Sequence, residues 1–181
     1  MKKHLPLLLV FLLISISIYT QEKKNYYHEE KPYFKNEKEK KSELLYDYDV
    51  QFYHLNIEAT NETDQIDGNV LVNTRVTTDN LNHFGLELTD SLTVDSVIIN
   101  DKNIGFEHDN NLLEVDLETT FNSGDDLDAR VYYHGQTGTG MRKETSSEWG
   151  KDVNYTLSES FHAKDWFPCK EVLTDKADSA Y

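Results

Sequence analysis

From Asp47 to Tyr133 apolar and polar residues alternate with a period of two, the pattern of strands that bury one face and expose the other. Val50 and Phe52 open the first strand. Tyr53, Leu55, Ile57 and Ala59 continue it after a phase slip that a β-bulge explains. Residues 60–65 carry turn chemistry, and Ile66, Gly68, Val70, Val72, Thr74 and Val76 then alternate against Asp67, Asn69, Asn73, Arg75 and Thr77. These two long strands are expected to pair antiparallel. Shorter strands are predicted around Phe84, Leu86 and Leu88, over 92–99, and over 104–108 after a turn at 100–103. Others follow around Leu113, Val115 and Leu117, and around Leu127, Ala129, Val131 and Tyr133, with turns at 109–111 and 122–125. About seven strands so spaced predict an all-β fold, a β-sandwich of antiparallel strands in two packed sheets.

The pattern is different before Asp47. Lys2 and Lys3 precede an almost unbroken apolar run over 5–18, and polar Tyr19, Thr20 and Gln21 follow, so residues 1–21 read as a signal peptide. The run is too short to span a bilayer comfortably. The expected destination is therefore secreted, periplasmic or cell-surface, with no stable membrane insertion once the signal is removed. Residues 22–46 read as a charged linker with at most a turn or two of helix over 37–45, which leaves 47–181 as the β-domain. The pair His28-Glu29 invites a His-Glu-x-x-His zinc reading, but Pro32 stands where the second histidine is needed and would break the helix.

Charge and reactive side chains narrow the possible functions. The formal net charge is −15, and losing Lys2 and Lys3 makes it more acidic, so nucleic acid is excluded as a partner. Cys169 is the single cysteine, which rules out an internal disulfide framework and a multi-thiolate metal site; beside Trp166-Phe167-Pro168 it reads as a small core residue. The glycines of Gly135-Gln-Thr-Gly-Thr-Gly140 suggest a phosphate loop, but phosphate needs a helix N-terminus to follow, and 141–149 is polar without an apolar stripe. The 7 histidines include no pair at helical i, i+4 spacing. No catalytic residue and no metal site are expected in this chain.

The stretch from Leu157 to Tyr181 carries the most specific pattern. Glu159, Ala163, Phe167-Pro168-Cys169, Lys176 and Ala177 follow the form Gln-x-Glu/Gln-x-x-x-Ala-Arg-x-x-Phe-Pro-Cys-x-Asp-x-Pro-x-x-Lys-Ala. That form closes the N-terminal β-domain of zinc aminopeptidases of the aminopeptidase N family, which this chain resembles. The departures are Leu157 for Gln, Lys164 for Arg, Glu171 for Asp, and a spacer over 172–175 that is one residue longer and lacks the second Pro. Tyr48-Asp49-Val50, Tyr53-x-Leu55-x-Ile57, Ile66-x-Gly68, Leu92-x-Val94-x-Ser96-Val97, Leu112-x-x-x-x-Leu117 and Val131-x-Tyr133-x-Gly135 resemble that domain's successive strands, in order.

The resemblance implies an aminopeptidase N-like N-terminal domain, incomplete at its C-terminus, whose partner is a catalytic domain of the same polypeptide or gene. Zinc and its His-Glu-x-x-His ligands are expected in that missing domain. None is expected in this chain, so the chain alone should not hydrolyse peptides. It further implies that Glu159 is substrate-binding: the family's matching carboxylate or amide holds the free α-amino group of peptide N-termini. Lys164 would replace a bidentate guanidinium contact by a point charge. Residues 135–140 would be a mobile connection, Trp166 and Phe167 core, and 176–181 the start of a further strand. The alternative is a free-standing secreted β-sandwich that binds peptide, glycan or protein, because a fold alone does not choose among functions.

Overall fold

In the computed structural model, which describes residues 43–148 and 150–181, the alternating positions build two sheets and a separate hairpin. The large sheet holds β1 (Tyr48–Ala59), β2 (Gln65–Val76), β4 (Leu92–Ile99), β5 (Lys102–Ile104), β8 (Asp126–Gln136) and β11 (Ser179–Ala180). Their order is β11-β1-β2-β8-β4-β5. The small sheet, ordered β3-β7-β6, is made of β3 (Leu81–Glu87), β6 (Phe106–Asp109) and β7 (Leu112–Phe121). All pairings are antiparallel except that of β11 with β1. The signal-like start and the His28-Glu29 pair lie outside the described residues.

One core joins the two sheets. Val70, Val72, Val97, Ala129 and Val131 of the large sheet and Phe84, Leu86, Leu113 and Val115 of the small one belong to a single buried cluster. Each such Val, Leu or Phe contributes roughly 1.5–3 kcal/mol by leaving water. Thr74 shares the inward face of β2, and its hydroxyl donates to the Leu127 carbonyl at 2.7 Å, which offsets the cost of burying it. The phase slip in the first strand is a register shift between Val50 and Phe52. Asn100 and Asp101, and likewise Asn110 and Asn111, have positive φ, as a two-residue hairpin turn between right-twisted strands requires.

One expected strand needs correction. Residues 104–108 are not one strand: Ile104 ends β5 in the large sheet and Phe106 opens β6 in the small one, so the chain changes sheets at Gly105. Beyond β8, β9 (Met141–Thr145) pairs with β10 (Asp152–Thr156) in a hairpin that alternation did not predict. Only Met141 of β9 is buried, so this hairpin has no apolar face to betray it. Its support is polar. Lys143 Nζ donates to the Glu62 carbonyl (2.6 Å), Asn154 Nδ2 to the Thr63 carbonyl (2.7 Å) and Asn61 Nδ2 to the Asp152 carbonyl (3.1 Å), which ties the hairpin to the β1–β2 turn. Ahead of β1, a 3-10 turn over Glu43–Tyr46 buries Leu45.

Candidate functional site

After β10 the chain returns across the domain, and three tyrosines from the large sheet fix its course. Tyr53 OH on β1 accepts the Lys170 amide (2.9 Å), and Tyr133 OH on β8 donates to the Trp166 carbonyl (3.1 Å). Tyr48 OH donates across to the Gly85 carbonyl of β3 (2.6 Å). Burial pushes all three phenols well above their ordinary range, which keeps them neutral at any physiological pH. Cys169 forms an isolated bridge with Glu87, each amide donating to the other's carbonyl (2.7 and 3.0 Å). Lys170 is buried with its ammonium 4.6 Å above the Tyr48 ring, bonded to the Tyr48 carbonyl and paired with Asp175. A cation so enclosed is tolerable because donors and acceptors surround it.

Between β10 and Cys169 the returning segment makes a tight turn. The His162 amide donates to the Ser158 carbonyl (3.2 Å), and Trp166 Nε1 donates to Ser158 Oγ (3.0 Å). Phe161 sits in the left-handed region with φ of 68°, a conformation that a bulky side chain adopts only when its surroundings dictate it. Glu171, two residues after Cys169, supplies that surrounding. Its Oε1 accepts the amides of Ala163 (2.6 Å) and Lys164 (3.3 Å), and its Oε2 pairs with Lys164 Nζ at 3.1 Å. Lys164 Nζ also donates to the Phe161 carbonyl (3.2 Å). The Glu171 amide in turn donates to Glu87 Oε2 (2.8 Å). Burial disfavours the Lys164 charge, but the Glu171 carboxylate outweighs it and holds the ammonium above its ordinary range.

The glycine-rich stretch forms the other wall of this turn. Asp165 Oδ2 accepts from Thr139 Oγ1 (2.8 Å) and from the Gly140 amide (3.1 Å) and lies 2.9 Å from His162 Nδ1; the Asp165 carbonyl accepts the Gly138 amide (2.7 Å). A Cβ at Gly140 would stand 2.0 Å from the His162 carbonyl oxygen, and one at Gly138 would stand 3.0 Å from Asp165 Cβ. The glycines are there for close approach of two backbones. Residues 135–140 are accordingly a seat for 162–165 and not a free connection, and no helix follows them to receive phosphate.

Glu159, the residue singled out from the sequence, lies at the apex of this turn, exposed, with no hydrogen bond or ion pair to any described residue. Lys164 makes its point-charge contact with Glu171. Trp166 and Phe167 are half-buried and pack against the core from its edge, and Phe167 meets Tyr53 edge-on at 5.7 Å. Cys169, at 2% exposure, is the core residue expected. The last described residues do open a strand, β11, beside β1. Glu87 and Asp165 were missed. Asp165 had no sequence signal beyond its place in the motif's variable positions, and Glu87 reads as an ordinary polar residue at the end of a strand. Among the described residues no group of three His, Cys, Asp or Glu side chains could hold a metal ion.

No family model and no curated protein matches the sequence. Solved structures do match the fold. An M1 zinc metallopeptidase from Deinococcus radiodurans is similar over 72% of this chain and 31% of its own, with TM-score 0.60 and 21% identity. Native leukotriene A4 hydrolase from Saccharomyces cerevisiae is similar over 75% of this chain and 23% of its own, with TM-score 0.62 and 19% identity. The chain thus spans less than a third of the length of these enzymes, and such identities speak to the fold alone. Two sheets sharing one core, followed by a segment strapped back over them through Phe167-Pro168-Cys169, give this chain the fold of the N-terminal domain of the M1 zinc metallopeptidases.

Proposed function

We propose that this chain is the N-terminal β-domain of a secreted zinc metallo-aminopeptidase, and that Glu159 binds the α-ammonium group of the peptide substrate. The observation that carries this reading is the contrast at the turn. Every other charged side chain from His162 to Glu171 is committed to a partner in the domain, whereas the Glu159 carboxylate is exposed and uncommitted on a backbone fixed from both sides. A carboxylate held in this way suits an ammonium, which it meets with complementary charge and strong hydrogen bonds. Zinc would supply Lewis-acid activation of water and of the scissile carbonyl from a domain outside this chain. The β-domain's part is to bind and orient the peptide N-terminus, which limits cleavage to chain ends.

The test compares catalytic efficiency for the native enzyme, Glu159→Ala and Glu159→Gln in a polypeptide that also carries the zinc domain. Loss of a charge-assisted hydrogen bond, about 1.5–3 kcal/mol, is a loss of roughly ten- to a hundredfold. It should fall on peptides with free N-termini and spare N-acetylated ones, with Gln between Ala and the native residue. Native efficiency in Glu159→Ala would reduce this domain to a structural role.

A further inference from the structure

The two motif positions at which the sequence departs by charge-conserving exchange, Lys164 for Arg and Glu171 for Asp, meet in space at 3.1 Å. We propose that Lys164 and Glu171 are one positioning unit that fixes the left-handed residue Phe161, and through it the turn that presents Glu159. The functional half of this inference depends on the reading of Glu159 given above; the structural half does not.

The geometry assigns a task to each atom. Glu171 Oε1 gathers the amides of Ala163 and Lys164, the start of a short 3-10 turn, while Oε2 holds the Lys164 ammonium. That ammonium spends a second proton on the Phe161 carbonyl, which reaches back over the turn and holds the peptide that a positive φ has rotated. Glu171 is itself held, its side chain 4% exposed and its amide bonded to Glu87 Oε2. The chain of restraint therefore runs from β3 through Glu87 and Glu171 to Lys164 and Phe161, two residues from Glu159. The paired exchange also makes steric sense. Lysine is the shorter cation and presents a point charge, and glutamate is the longer acid by one methylene, so the reach lost on one side is restored on the other. Glu87 and Asp165 also bear on the Lys164 ammonium with negative charge, so the cation sits in a field that favours it.

Because the partners act together, changing either alone should disturb the turn more than exchanging both. The chain would be prepared with Lys164→Met, Glu171→Gln, the double change, and the reciprocal pair Lys164→Arg with Glu171→Asp, singly and together. Two-dimensional NMR reads the amide positions and hydrogen exchange of residues 158–162, with Val70 and Val131 as reporters of the intact core. Each single change should move the amide resonances of Glu159 and Phe161 and speed exchange of the His162 amide, which donates to the Ser158 carbonyl, by about tenfold, the low end for losing one charge-assisted hydrogen bond. The reciprocal pair should return both toward native values, a rescue that mere loss of packing would not show. Unmoved 158–162 amides in the single variants, or strictly additive effects in the reciprocal pair, would overturn the positioning unit. Titration of the same samples with alanyl-alanine amide and its N-acetylated form separates the two readings. Equal, weak responses to both peptides in the native chain and in Glu159→Ala would count against Glu159 as an ammonium site, while the amide shifts would still decide on Lys164 and Glu171.

Discussion

Replacing Gly140 by Ala tests whether the glycine-rich stretch exists to seat the returning segment. The added Cβ would lie 2.0 Å from the His162 carbonyl oxygen and 3.0 Å from Asp165 Cβ, both in the segment packed against it. Ordinary carbon–oxygen contact requires more than an ångström of extra room, and backbone atoms cannot rotate away as a side-chain tip can. Residues 138–140 and 162–165 must separate. The bonds at risk are those from Thr139 Oγ1 and the Gly140 amide to Asp165 Oδ2, and from the Gly138 amide to the Asp165 carbonyl. Two of the three have an ionised acceptor, and together they are worth on the order of 3–4 kcal/mol at the low end appropriate to a partly exposed site. Alanine also restricts the unfolded chain, which returns about 0.4–1 kcal/mol and leaves a net loss of about 3 kcal/mol. At about 3–4 °C per kcal/mol for a domain of this size, the midpoint of thermal unfolding should fall by roughly 10 °C. Gly105→Ala is the control, because nothing lies within 4 Å of a Cβ there, and it should stay within about 0.5 kcal/mol of native. A Gly140→Ala chain that melts with the control would show that the two segments are not held together as described.

Tyr53→Phe removes the acceptor of the buried Lys170 amide and should cost about 1–3 kcal/mol, read as a lower urea midpoint with an unchanged slope. Cys169, in the core, should resist a disulfide reagent in the native chain and react only as fast as the domain opens; immediate labelling at native pH would show that the segment does not cover it. The Asp49 carboxyl is held above its ordinary range, first by the hydrogen bond it shares with Asp175, then by burial and by the charges of Asp175 and Asp178. Its proton is thus bound more tightly in the folded state, so stability is gained as the pH falls through the raised pKa and is absent once Asp49 ionises. Asp49→Asn should raise neutral-pH stability, read from the urea midpoint, by a few tenths of a kcal/mol and abolish that acid-side gain, the size being limited by solvent screening at a half-buried site. An unchanged pH profile would refute the shared proton.

Most of the sandwich was legible because burial on one face forces a period of two, and Val70, Val72, Thr74 and Val76 display it without interruption. The Asn-Asn and Asn-Asp turns were legible for a related reason, since these side chains tolerate positive φ. The hairpin β9–β10 was not, because Arg142, Lys143, Glu144 and Thr145 all face water and its fixings are carbonyls of the distant β1–β2 turn. Nor could alternation reveal that Gly105 hands the chain from one sheet to the other. Glu159 was reached only through the motif around it. The Lys164–Glu171 pair was visible as two separate departures, but its link to Glu87, 84 positions away, appears only when β3 and the returning segment are brought together.

The tyrosine contacts of the returning segment also bear on how the domain assembles. The bonds from Lys170 to Tyr48 and Tyr53 span 122 and 117 positions. Closing a flexible loop of that length costs roughly 4 kcal/mol more than the logarithm's origin, against almost nothing for hairpins such as β4–β5 and β6–β7 that close through two residues. We expect the sheets to form first and the segment to dock after the rate-limiting barrier. Substitutions within 162–171 should then leave the folding arm of a chevron nearly unchanged and raise the unfolding arm, whereas truncating Val70 or Val131 should slow folding itself. A domain built in this order can lose its strap transiently while its sandwich persists, so its vulnerability to proteases is set by how often that one segment lets go.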